Sequence, residues 1–157
     1  MSEGFVDIDS LEVSDKDVIT IRGGLIGMPE LQRFVLMDFN EESPLHWLQS
    51  LDDSRIGFVV SDPSLFSDSY TVTLDKRVQE VLEIEKDDEL VVMVVVTVKG
   101  EALEITGNLL GPIVVNATKR IGCQVVLEDT EYGTKVPMRK MVDGPEEAKK
   151  TMVEITV

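Results

Sequence analysis

Residues 90–98 read LVVMVVVTV, and no other stretch of the chain restricts its fold so tightly. Successive side chains of a strand face opposite ways, so a run that is aliphatic on both faces needs apolar cover on each side. A barrel or a sandwich supplies that cover; an open sheet with one wet face does not. The run is dominated by valine and is far too short for a membrane-spanning helix, so it reads as a central buried strand about 30 Å long. Lys99-Gly100 then makes a tight turn into a second run, Ala102 to Thr106, as a hairpin requires.

The rest of the chain repeats the strand signal in shorter pieces. Asp17–Arg22 alternates with Ile19 and Ile21 on one face, and Arg33–Phe39, Leu45–Leu51 and Ile56–Val60 follow, separated by turn residues. Tyr70, Val72 and Leu74 alternate with threonines, which predicts one wet face. Val78, Val81 and Leu82 switch to helical spacing after Asp75, a natural N-cap, and predict one helix of two or three turns. Gly122–Glu128 alternates again, with Cys123, Val125 and Leu127 on one face. Turn signals roughly every ten residues and one short helix describe a single mainly β, antiparallel domain, a barrel or a sandwich. We expect the β domain over residues 1–138 and a C-terminal extension over 139–157. In that extension Asp143-Gly144-Pro145 marks a break, Glu146–Lys150 can start a helix, and Met152–Val157 alternates as a late strand or a tail.

Charge and motif content exclude several functions. With 30 acidic against 15 basic residues the net charge is −15, dispersed rather than run together. Such a surface repels phosphates, which argues against direct nucleic-acid binding, and it favours the approach of a basic protein. Acidity for solubility alone is the plain alternative. No apolar stretch suits a membrane, no signal peptide is visible, and Cys123 is the sole cysteine, so a reducing cytoplasm is expected. His46 is the only histidine and has no ligand-spaced partner; it reads as a surface or packing residue, and Trp47 beside it as a core anchor ahead of an interface anchor. Gly23-Gly24 and Gly27 lack the Lys-Ser/Thr and helix of a phosphate loop, so they serve a turn with unusual backbone angles. Neither a metal nor a cofactor is implied. A binding protein fits better than an enzyme; a small β-barrel enzyme or metabolite-binding module is the alternative.

Ile105–Asn116, ITGNLLGPIVVN, is the second informative stretch. Pro112 donates no hydrogen bond and biases Gly111 towards extended geometry, so strand pairing must break or shift edge there. Leu109 and Leu110 occupy consecutive positions, which sends one inward and the other outward. Asn108 and Asn116 are either turn residues or, with the outward leucine, a rim for a partner.

This stretch resembles the T-A-N-L-x-A-P-I-V-I-N pattern of the FliW family of flagellar assembly factors. Four more blocks carry the resemblance: Gly24-Leu25-Ile26-Gly27-Met28 is similar to G-L-P-G-F, Pro44–Ser50 to P-F-x-x-L-Q-S, Phe58–Pro63 to F-V-V-x-D-P, and the spacing of Gly122, Gln124 and Tyr132 to the closing segment. Together they span about residues 17–138. The chain departs from the pattern at Met28, Leu45, Gly107 and Leu110. The resemblance implies a compact β-barrel-like fold without catalytic residues or cofactor. It also implies cytoplasmic binding of flagellin and, once flagellin is exported, of the translational regulator CsrA. The protein-binding residues expected from it are Asn108, Leu109, Leu110, Pro112, Ile113 and Asn116.

Overall fold

The computed structural model describes residues 14–38, 42–100, 104–128, 131–139 and 152–155. The expected strand start at Ala102 and the break and helix expected over residues 143–150 lie outside them. Eleven strands are present among the described residues: β1 Ile19–Ile21, β2 Arg33–Asp38, β3 Leu45–Ser50, β4 Gly57–Ser61, β5 Thr71–Leu74, β6 Leu90–Lys99, β7 Glu104–Gly107, β8 Ile113–Asn116, β9 Ile121–Gln124, β10 Val136–Pro137 and β11 Met152–Ile155. One helix, α1, spans Lys76–Val81.

The valine-rich strand organises all of it. One edge of β6 pairs with β4, Val94–Val96 against Val59–Ser61. The other edge takes β8 along Leu90–Met93 and β7 along Val96–Lys99. The remaining order, β4-β3-β2-β1-β9-β8, returns to β6 and closes a seven-stranded barrel. Its two faces are covered as a doubly apolar strand demands. Met93 and Val95 point into the barrel with Ile19, Ile21, Phe34, Leu48 and Ile113. Val92, Val94 and Val96 point out into a second core with Leu65, Phe66, Tyr70, Val72, Leu74 and Leu82. The outer layer is therefore β5, α1 and the turn Pro63–Leu65 laid over one flank of the barrel.

Two strand pairs depart from a purely antiparallel arrangement. β1 runs parallel to β9, and β11 parallel to β5. Parallel neighbours need a long connection, and here a long stretch of chain separates the members of each pair, so each brings distant segments together. Of the C-terminal extension, β11 lies on β5 with Val153 packed against the outer core.

The helix is shorter than its sequence spacing predicts. Asp75 caps it, accepting from the backbone N–H of Val78 at 2.9 Å. It ends after six residues because Leu82 is drawn fully into the outer core and Glu83 turns left-handed at φ 51°. Trp47 is half-buried on the outer barrel wall rather than central. Its ring lies against Gly57, where a Cβ would fall 2.3 Å from the indole, and its Nε1 donates to Gln49 Oε1 at 2.9 Å. His46 is on the surface, its Nδ1 beside Asp38 Oδ1. No helix of the described residues is long and apolar enough to cross a membrane.

Candidate protein-interaction surface

The segment between β7 and β8 stays on one edge of β6 instead of changing edges. Gly107 is opposite Val96 and Ile113 opposite Met93, so five residues, Asn108–Pro112, span what Val94 and Val95 span on the partner. The excess is a bulge, which Pro112 and Gly111 make necessary and which re-aims the chain at the barrel rim. Its polar groups are almost completely matched. Asn108 N donates to Val95 O, and Leu109 N and Leu110 N both donate to Gly133 O. Asn108 Oδ1 accepts from Leu110 N at 3.1 Å and Gly111 N at 3.0 Å. Tyr70 Oη donates to Leu109 O, and Leu127 N and Val125 N donate to Leu110 O and Pro112 O. Tyr70 itself is buried, its ring tilted against Tyr132 with centroids 4.6 Å apart; burial pushes its phenol well above the ordinary value.

The six residues expected to bind a partner separate into two groups. Leu109 is 1% exposed, and Pro112 and Ile113 are buried, all three serving as core. Asn116 has no accessible surface, so it cannot form a rim in this fold. Its Nδ2 donates to Leu82 O and to Asp88 Oδ2, each at 2.9 Å, and its Oδ1 accepts from Lys119 N. A polar core position of this kind ties the end of the helical layer to the β8–β9 turn. The backbone N–H of Glu85, the Asn116 amide and Lys119 hold Asp88 below the ordinary carboxylate range. Asn108 and Leu110 alone remain half-exposed.

Three segments meet at this rim, and the second and third were not in the sequence expectation. Gln124 Nε2 donates to Gly111 O at 2.9 Å, while its Oε1 accepts from Ile26 N at 2.7 Å. One amide thus clamps the bulge to the Gly23–Pro29 turn. That turn is stiff: Gly23, Gly24 and Gly27 all have positive φ, and a Cβ on Gly24 would sit 2.4 Å from Pro29 O. Leu25 is buried beneath it, leaving Ile26 at the tip, 58% exposed. Val126, two residues beyond Gln124, is 56% exposed. Two exposed aliphatic side chains thus belong to the segments that this amide and its strand bring to the rim, on a strongly acidic protein. The available signals were an isoleucine between turn glycines and three successive apolar residues, Val125 to Leu127, where alternation would allow two. Cys123, by contrast, packs on the outer core as its alternation suggested, and burial pushes its thiol up.

Comparison with known proteins places this architecture. The FliW protein family model matches residues 6–138. The chain is 37% identical over 130 residues to the flagellar assembly factor FliW of Syntrophus aciditrophicus, covering 83% of this chain and 82% of that one. It is 37% identical over 125 residues to the factor of the same name from Bacillus pumilus, covering 80% and 87%. A crystal structure of the flagellar assembly factor FliW superposes with a TM-score of 0.75 at 34% identity, covering 84% of this chain and 93% of that one. The bulge, the glycine turn and Gln124 all lie within the matched span. The chain belongs to the FliW family of flagellar assembly factors.

Proposed function

We propose that this protein binds flagellin in the cytoplasm and, when free of it, binds the translational regulator CsrA and relieves its repression of flagellin synthesis. Family membership supports the flagellar setting. The observation that carries a binding role is the rim itself: Ile26 and Val126 stand more than half exposed, Ile26 on backbone held by the Gln124 amide and Val126 between two residues bonded to the bulge. Rigid aliphatic side chains cost little ordering entropy on association, and a few such anchors carry most of an interface. In this reading flagellin takes the rim, with Asn108 and Leu110 at its edge. CsrA, a basic RNA-binding partner, takes the acidic surface or the stretch after Pro137. The protein acts on no nucleic acid directly, because net charge −15 opposes a polyanion.

The test is titration calorimetry of flagellin and of CsrA into the wild-type chain and into Ile26→Lys. We expect flagellin affinity to fall at least tenfold while CsrA affinity changes less than threefold and the melting temperature is kept. Unchanged flagellin binding by a folded Ile26→Lys variant moves the flagellin site elsewhere.

A further inference from the structure

We infer that the chain beyond β9 accepts an extended, basic segment of a partner protein as an added strand, seated in the groove beside residues 125–128. This deepens the binding role proposed above by naming the mode and the partner chemistry.

The backbone provides the first observation. Val125 N and Leu127 N donate towards the bulge, to Pro112 O and Leu110 O. Alternate residues of an extended chain point their N–H and C=O groups to opposite sides. Val126 and Glu128 therefore turn theirs away from the bulge, and among the described residues those groups make no backbone hydrogen bond. The neighbour that would have taken them has left: β1 pairs with β9 only at Thr20 and Ile21, Arg22 N reaches Gly122 O, and the chain then folds into the glycine turn. Among the described residues, one strand position at the end of the barrel wall is thus unfilled.

The second observation is what faces that edge. A groove of about 490 Å³ lies against it, lined by Thr71 and Thr73 of β5, Asp75 and Val78 at the start of α1, and Val126 and Glu128. None of the residues lining it is cationic. An adjoining cavity shares Asp75, Val126 and Glu128 with it, extends to Gly23, and is lined also by Arg22 and Arg77, so Arg77 is a cation that an added segment meets beside these carboxylates. Arg22 is already engaged, by Glu83 at 2.6 Å and Val81 O at 2.8 Å. The half beside Glu128 therefore pairs an aliphatic floor and two hydroxyls with the Glu128 carboxylate and with Asp75, whose Oδ1 caps α1. An added strand gains affinity from main-chain bonds and specificity from alternate side-chain pockets. Here those pockets call for small aliphatic groups, with Lys or Arg at the Asp75–Glu128 end. A second copy of this chain is the poorer occupant, since net charge −15 would meet net charge −15.

The probe is a blocked seven-residue peptide, Val-Lys-Val-Lys-Val-Lys-Val, titrated into the full chain by calorimetry at low and at physiological salt. We expect saturable binding that weakens with salt. We also expect at least tenfold loss when alternate peptide nitrogens are methylated, and when glutamate replaces lysine. On the protein, Val126→Pro removes the outward N–H but keeps the two donors to the bulge, and it should reduce affinity at least tenfold. If Val126→Pro melts early, Glu128→Lys replaces it: affinity for the lysine peptide should fall and affinity for the glutamate peptide rise. No binding of the lysine peptide, or equal binding of its methylated form, overturns the inference. Peptide binding together with failure to bind flagellin and CsrA would sink the proposed partners and leave the strand site standing.

Discussion

The bulge at Asn108–Pro112 and the segment Val125–Glu128, which follows β9 where the expected strand stops at Gln124, lie side by side and are finished in opposite ways. In the bulge, the donors of four residues and the acceptors of Leu109 to Pro112 are matched, by Val95, Gly133, Tyr70, Gln124, Val125, Leu127 and the Asn108 side chain. In the segment after β9, one edge is paired with the bulge, and among the described residues the other makes no backbone hydrogen bond and faces the groove. The motif-rich segment is thus closed structure, and the open surface belongs to its plainer neighbour. Asparagine, glycine and proline at fixed offsets are what an irregular backbone needs to satisfy itself. A docking edge needs no special residue types, only an unfilled strand position and suitable flanking side chains.

The largest expected effect tests whether the bulge is anchored as tightly as its bonding implies. Leu109 projects into the outer core with Val72, Leu74 and Val94 and has almost no exposed surface. Leu109→Ala should cost about 2–5 kcal/mol, the range for leucine truncated in a packed core. Val126→Ala, on the neighbouring open edge, should change stability by less than about 0.5 kcal/mol. Urea denaturation of the two variants measures the contrast directly. Similar losses for both would mean that the two segments are equally structural.

An intermediate effect isolates the side chain that shapes the bulge. Asn108→Ala leaves Leu110 N and Gly111 N without their shared acceptor in a half-buried position, which should cost about 1–3 kcal/mol. Asn108→Asp keeps the acceptor and should recover most of that stability above the carboxylate titration range. If alanine and aspartate behave alike, the Asn108 oxygen does not hold the bulge.

Much of this architecture follows from side-chain alternation. A run apolar on both faces, Leu90 to Val98, forced two cores, and both are present. Pro112 and Gly111 forced an interruption, and it is there as a bulge. What alternation cannot give is which distant segments become neighbours. The parallel pairs β1–β9 and β5–β11 join segments far apart in sequence, and no local pattern in either member names its partner. The site suffered from the same limit. Asn116 and Asn108 look alike as residues near strand breaks, yet Asn116 is sealed beneath Leu82 and Asp88, whereas Asn108 stays half-exposed at the rim. Gln124 reads as the polar member of an alternating strand; its role as a clamp exists only because Ile26 and Gly111 arrive on either side.

The smallest stability effect carries the sharpest functional contrast, at Leu110. It sits one residue from Leu109 but is half-exposed, because consecutive residues of the kinked strand face opposite ways. Its backbone bonds, N to Gly133 O and O from Leu127 N, survive any side-chain change. Leu110→Lys should therefore move stability by less than about half a kcal/mol, with the lysine stem lying along the rim and its ammonium in water. A new cation at the edge of an aliphatic contact has a different cost on association. It must be desolvated or displaced, and loss of one central apolar contact is worth about a kcal/mol or more. Flagellin affinity should fall accordingly, roughly tenfold for each 1.4 kcal/mol, while CsrA affinity holds. Thermal melts and calorimetry on Leu109→Lys and Leu110→Lys side by side complete the test. We expect the first to unfold and the second to fold and bind weakly. Were Leu110→Lys also to unfold, both faces of the kink would be core, and the partner surface would reduce to Ile26 and Val126. Were it to fold and bind flagellin normally, the rim would end at Gln124, and the bulge would have no contact with the partner at all.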